Sequence, residues 1–164
     1  MQSQPLHPSA QRVADAAADL GLHIEIVTFA HSTRTAEEAA AAIGCQVGQI
    51  VKSLVFTVSG EPVVALVSGA NQLDTRKLAA LFGVGRKQVE RANADVVRAA
   101  TGFAIGGVPP FAHSTRTTIY IDHDLTTFDV VWAAAGTPNT VFAVNPNDLV
   151  SVTGGQVTDL KSQP

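Results

Sequence analysis

Two β-branched runs restrict the fold more than any other feature of this chain. Residues 51–58 (VKSLVFTV) and 62–67 (PVVALV) are separated only by Ser59, Gly60 and Glu61. Runs of this type joined by small turn residues form a β-hairpin. The segments around it alternate between helical and strand patterns. Ser9 is a candidate N-cap for a helix over residues 9–20, with Val13, Ala16, Ala17 and Leu20 as its apolar stripe and Gly21 beyond its end. Residues 22–29 alternate around Ile24 and Ile26 as a strand does. Thr35 and Glu38 form a capping box for an alanine-rich helix that stops at Gly44. Asp74 caps a helix ended by Gly83, and Asn93 or Asp95 opens a shorter one ended by Gly102. Short strands are predicted at 103–105, 118–121, 130–134 and 141–144, followed by a helical turn over 146–152 and a polar tail. Four or five short helices interleaved with about seven strands exclude a strict βαβ repeat. The expected fold is α+β: a mixed, largely antiparallel sheet of six to seven strands surrounded by helices.

Only 5% of the 164 residues are aromatic, so Val, Ala, Leu and Ile must build the core. This length suits one domain over residues 1–164, and no linker or low-complexity stretch divides it. No apolar run approaches the roughly 18–20 residues that span a bilayer, and MQSQPLHPSAQR lacks the pattern of a signal peptide. A cytoplasmic location without a membrane partner is therefore expected. The net charge of −3 argues against a sequence-independent DNA coat. That average hides an uneven distribution. Residues 76–98 carry Arg76, Lys77, Arg86, Lys87, Arg91 and Arg98 against Glu90 and Asp95, a net +4, while the rest carries −7. This stretch is either a solvated helix face with loops or a local footprint for an anionic partner.

Most familiar catalytic patterns are absent. The five histidines lack the spacing of a zinc helix, and Cys45 stands alone, so no metal site or internal disulfide is expected. There is no GxSxG elbow and no Walker or dinucleotide glycine loop. Cys45 reads as a small apolar residue. The heptapeptide FAHSTRT occurs twice, at 29–35 and 111–117, with unlike flanks. Either both loops meet similar chemistry or the identity is an accident of polar-loop composition. Two features remain. Lys52 sits at the start of an apolar strand, where it must reach solvent or an anion. In residues 104–111 (AIGGVPPF) two glycines allow close backbone approach and exposed N–H groups, and two prolines stiffen the exit. A tight turn alone would also account for that loop.

VKSLVF, GANQLD, RAATGFAIGGVPPF and VVWAAAGTPN together resemble the YbaK/ProX family of aminoacyl-tRNA deacylases, which includes free-standing relatives of the editing domain of prolyl-tRNA synthetases. The resemblance runs from about Leu22 to Val152. It implies a mixed α/β fold with a pocket between sheet and loops. It also implies trans-editing hydrolysis of the ester joining a wrong amino acid to tRNA, most often proline tRNA, with the acceptor end and an aminoacyl-tRNA synthetase as partners. Lys52 matches the family's essential lysine, Gly106, Gly107 and Pro109 its glycine-proline loop, and Gly136 a glycine turn on the opposite pocket wall. Phe29 and Ser53 fall at pocket-lining positions. Cysteine-editing members carry Tyr near Phe29, Thr at Ser53 and Asp near Val141, and a glycine is usual where this chain has Ala112.

The resemblance suggests a reaction without a protein nucleophile or cofactor. Lys52 would hold the terminal tRNA phosphate, and amides around Gly106 and Gly107 would receive the oxyanion. Water, or transiently the substrate's own side chain, would attack, assisted by the ribose 2′-hydroxyl. His31 and His113 are candidates for a base or a nucleotide contact, and Phe111 completes the pocket-lining set. Phe29 and Val141 point to an apolar pocket for a small residue such as alanine. Arg34, Arg76, Lys77 and Arg116 are candidate tRNA contacts, which implies weak, moderately salt-dependent binding. The competing class is a non-catalytic module of the same fold that binds tRNA or a synthetase.

Overall fold

The hairpin is the centre of a five-stranded sheet. The structure, a computed structural model, describes residues 5–163. Strands β2 (Val51–Val58) and β3 (Glu61–Ser68) pair antiparallel along their whole length, from Val51↔Ser68 to Val58↔Glu61. Ser59 and Gly60 both take positive φ, +50° and +85°, the backbone of a two-residue turn whose twist matches the strands. The sheet is extended by β4 (Val89–Arg91), β5 (Thr118–Asp122) and β8 (Gln156–Thr158) in the order β4-β2-β3-β5-β8, with β5 parallel to both neighbours. A second, antiparallel sheet has the order β1-β7-β6, from β1 (Ile26–Thr28), β6 (Val131–Ala134) and β7 (Thr140–Val144). An isolated parallel bridge joins Ile50 to Trp132, and Val131, Ala133 and Phe142 of the second sheet share a core with Val51, Val55 and Val64 of the first. The expected mixed, largely antiparallel architecture is present, divided into two sheets with eight strands.

Five helices pack around them: α1 (Pro8–Asp19), α2 (Ala36–Ile43), α3 (Thr75–Leu81), α4 (Ala94–Thr101) and α5 (Pro146–Thr153). Thr35, Asp74 and Asn93 cap α2, α3 and α4 as expected. The cap of α1 is the His7 ring, which accepts the Ser9 N–H, and not Ser9 as expected, because Pro8 occupies the first helical position, where its fixed φ suits the helix and its missing N–H costs nothing. On one face of the hairpin Val51, Val55, Val64 and Leu66 pack with Phe103, Phe142 and Ile121; on the other, Phe56, Val58 and Val63 pack with Leu78.

Four local expectations change. The strand over 22–29 contracts to β1, since β7 offers partners only to Ile26, Val27 and Thr28. Residues 103–105 are no strand: Phe103 is an anchor with 0% exposure, and the chain then turns so that Gly107 N–H bonds Ala104 O. The three-residue β4 lies among charged residues and gives no alternation to read. The polar tail contains β8, an edge strand that offers only Val157 to the core.

Candidate active site

Beside their shared core the two sheets part, and the gap there is a cavity of about 360 Å3. β4 pairs only with Phe56, Thr57 and Val58, so residues 51–54 of β2 have a free edge. Because Val55 O accepts from Ala92 N–H on that side, strand alternation turns the backbone groups of Val51 and Ser53 toward the same edge. Trp132, Ala133 and Ala134 of β6 face them across the gap. Ile105, Gly106 and Val108 form one rim, Thr33, Arg34 and Thr35 another, and residues 137–141 close the end. The apolar walls contrast with one buried orphan. Ser53 Oγ is, among the described residues, a buried side-chain oxygen without a hydrogen-bond partner.

Lys52 stands beside the cavity, half-buried, and its ammonium donates to the Asn71 carbonyl. Burial pulls its pKa below the ordinary value, Arg91 adds to that pull, and the negative charges of Glu37 and Asp122 oppose it. The Asn71 side chain is itself held: Nδ2 donates to Asp122 Oδ2 and to Asp124 Oδ2, each at 2.9 Å. Lys161 Nζ reaches Asp124 Oδ2 at 3.0 Å, and these two hydrogen bonds hold the Asp124 carboxyl below its ordinary pKa.

The glycine-proline loop meets the turn at Thr137 with no room to spare. A Cβ on Gly107 would lie 2.8 Å from Thr137 Cα. Gly107 N–H is bonded to Ala104 O at 3.0 Å, so its amide is committed to the turn rather than open to a ligand. Among the described residues the N–H groups of Gly106 and Val108, both on the cavity rim, have no acceptor. Gly136 packs against Ser9 O of α1, and it is its neighbour Thr137 that reaches the cavity. The 137–140 turn also fixes the first FAHSTRT copy: Phe29 N–H donates to Asn139 O at 2.8 Å, Asn139 Nδ2 to Phe29 O at 3.0 Å, and Thr33 N–H to Pro138 O.

The two heptapeptide copies have different surroundings. The first lines the cavity through Thr33, Arg34 and Thr35, with Phe29 half-buried behind it and His31 exposed. The second fastens the end of α4: Ser114 N–H donates to Thr101 O and Thr115 Oγ1 to Ala100 O. His113 binds Thr117 Oγ1 at 2.8 Å and Pro109 O at 2.7 Å, so both ring nitrogens are occupied within the loop, and burial pushes its pKa down. Phe111 is in the core, edge-to-face with Phe142 at 5.6 Å, and Pro109 is buried beside it. Arg116 and Arg76 are exposed, and Lys77 ties Asp159 (2.8 Å) and the Lys161 carbonyl. Cys45 lies outside the cavity, with burial raising its thiol pKa. Of the expected site residues, Lys52, Ser53, Gly106 and Arg34 meet at one cavity; Gly107 packs behind it against the Thr137 backbone, and Gly136 faces α1 instead of the cavity.

A second, larger groove of about 650 Å3 shares Lys52, Leu54 and Arg91 with the first. Arg86 and Lys87 stand on its rim, and Leu73 and Val89 give it an apolar floor. Among the described residues none of Arg86, Lys87 and Arg91 is in an ion pair. These three were visible in the sequence as charge, but only the short β4 strand, which the sequence hides, brings them beside Lys52. Nothing in the local sequence marks Trp132, Thr137 and Thr140 individually as the wall of a site built across two sheets.

The family model for the aminoacyl-tRNA editing domain matches residues 30–152. The chain belongs to the aminoacyl-tRNA editing domain family. This editing domain is similar to a solved structure described provisionally as a trans-editing enzyme for prolyl-tRNA synthetase, with 48% identity and a TM-score of 0.91 over 97% of this chain and 100% of that one. It is 32% identical to the uncharacterised protein YwhH of Bacillus subtilis, over 76% of this chain and 78% of that protein. A protein of Enterococcus faecalis with the provisional name Cys-tRNA(Pro)/Cys-tRNA(Cys) deacylase EbsC is 30% identical over 79% of this chain and 78% of its own length. The proline–tRNA ligase of Maridesulfovibrio salexigens shares 38% identity over 61% of this chain, which corresponds to 17% of that larger enzyme. The family's activity is aminoacyl-tRNA deacylation, hydrolysis of the ester between amino acid and tRNA. Among the described residues no helix is long and apolar enough to cross a membrane.

Proposed function

We propose that this editing domain acts in trans, as one unit over residues 1–164, and removes a small, weakly polar amino acid such as alanine from mischarged proline tRNA. The observation that carries this reading is the cavity between the sheets, with the Lys52 ammonium at its side and the apolar Val108, Ala133 and Val141 in its walls. Lys52 anchors the terminal phosphate as a point charge. The free N–H groups of Gly106 and Val108 receive the developing oxyanion, a contribution of about 3 kcal/mol per donor in other enzymes. Water attacks with help from the ribose 2′-hydroxyl, and positioning supplies much of the rest. Ser53 Oγ, which has no hydrogen-bond partner among the described residues, is a contact for the aminoacyl group. The basic groove continues from Lys52 along Arg91, Arg86 and Lys87 and suits the unpaired nucleotides before the terminal adenosine, with Arg34 on the opposite rim.

A relative's name points to cysteine, so specificity is what the test must read. Deacylation is measured on proline tRNA charged with alanine, cysteine or proline, for the parent and for Lys52→Ala. The expected result is fastest release of alanine and a large loss in Lys52→Ala. A clear preference for cysteinyl-tRNA overturns the substrate assignment, and full activity in Lys52→Ala overturns the phosphate anchor.

A further inference from the structure

We propose that Asn71, locked by the buried carboxylate of Asp122, is a positioning residue for the Lys52 ammonium. This rests on the phosphate-anchoring role of Lys52 given above. Asp122 is 1% exposed and, among the described residues, has no cation within ion-pair distance. A buried carboxylate in that state is costly unless hydrogen bonds satisfy it. Three donors do so: Ser68 N–H at 3.0 Å, Asn71 Nδ2 at 2.9 Å and Asp124 N–H at 3.0 Å.

The arrangement leaves the Asn71 amide one orientation. Both carboxylates lie on its nitrogen, and a flipped amide would turn its oxygen against two acceptors. The backbone of the same residue is pinned as well: Asn71 N–H donates to Ser68 O at 2.9 Å, and Ser162 N–H to the neighbouring Gln72 O at 2.9 Å. The Asn71 carbonyl therefore points in a fixed direction, and its hydrogen-bond donor is Lys52 Nζ. One ammonium proton is committed to that carbonyl, and two remain for a phosphate. A cluster that only joined β3 to β5 would not need this carbonyl to end on the cavity's lysine.

The charges facing Lys52 are Asp122 at the end of β5, Glu37 on α2 and Arg91 on β4. Lys161 and His123 act on Asp124, one residue further out. Neutralising Asp122 removes one of the two negative charges that oppose the effect of burial on Lys52, so its pKa falls further. Removing the Asn71 side chain frees the carbonyl that aims it.

The test uses the full chain with 13C-labelled lysine and two variants, Asp122→Asn and Asn71→Ala. Titration of the Lys52 ε-methylene by NMR requires no tRNA, so it stands even if no substrate of the panel is hydrolysed. The expected result is a lower Lys52 titration midpoint in Asp122→Asn. In Asn71→Ala, KM for mischarged tRNA rises about tenfold with a smaller change in kcat, the scale on which residues that orient metal ligands act. If Asp122→Asn does not fold, Asn71→Ala decides alone. An unmoved Lys52 midpoint in folded Asp122→Asn overturns the proposal, as does an unchanged KM in Asn71→Ala.

Discussion

Gly107→Ala separates two reasons for a glycine that lie side by side in the same loop. A methyl group at Gly107 would sit 2.8 Å from Thr137 Cα and 2.9 Å from both Thr137 C and N, where ordinary contact begins near 3.4 Å. All three are backbone atoms, and they belong to a turn braced by Thr137 N–H to Thr140 Oγ1 and by Ala135 N–H to Thr140 O. Neither side can yield by rotating a side chain, so the loop must retreat by roughly half an ångström. Overpacking of this kind costs about 1–3 kcal/mol, or about 2–12 °C in Tm for a domain of this size. The loop carries the free amides of Gly106 and Val108, and a 1 Å misplacement can cost about 100-fold in rate, so half that distance should cost roughly tenfold in kcat/KM. Gly106 is different: it has open space but a φ of +89°, so Gly106→Ala adds strain of about 1–2 kcal/mol without a collision. Deacylation kinetics and thermal melts of both variants are the assay. Gly107→Ala should lose the larger share of rate for a comparable loss of Tm. Parental kcat/KM in folded Gly107→Ala, or a larger rate loss in Gly106→Ala, would falsify the close-approach argument.

Two further outcomes follow from side chains in the second FAHSTRT copy. His113 is buried as the neutral ring, with its folded pKa below the ordinary 6.5. The unfolded chain therefore takes up this proton first as pH falls. The stability His113 contributes is complete above pH 6.5 and is lost as pH falls from there through the folded value. Melts between pH 7 and 5 should show this decline, and His113→Gln should flatten it; an equal slope in both proteins rules it out. Ala112 holds φ +68°, a left-handed backbone in which glycine is at home. Ala112→Gly should raise stability by about 0.5–1 kcal/mol, read as a higher midpoint in urea, and a lower midpoint would contradict the strain.

The hairpin, the caps of α2, α3 and α4 and the strands β5 to β7 were legible in the sequence because each rests on local chemistry: a turn, a capping side chain, a β-branched run. What was hidden depends on distant partners. β8 exists because β5 offers it an edge, and no pattern in GlnValThr announces that. Phe103 resembles a strand residue because burial selects the same residue types in a core-anchored turn, whereas Ile105 is 51% exposed on the cavity rim, where an apolar residue gives the same local pattern. The site was legible to the same degree. Lys52 declared itself by standing in an apolar run. The second FAHSTRT copy misled because identical residues meet different neighbours, one at a cavity and one at a helix end. Arg91 was visible only as charge until β4 carried it to the edge of β2.

The unpaired stretch of β2 has a consequence outside catalysis. A free strand edge with exposed N–H and C=O groups invites another extended chain to dock on it, and natural edges are guarded by charge. Here the guards are Lys52 in the strand itself and Arg91 where β4 gives out. On the role proposed for Lys52, one side chain both holds substrate and discourages strand-to-strand aggregation. Replacing Lys52 with an apolar residue of similar length removes one of the two guards, so a variant built to test the proposed phosphate anchor is expected to lose solubility as well.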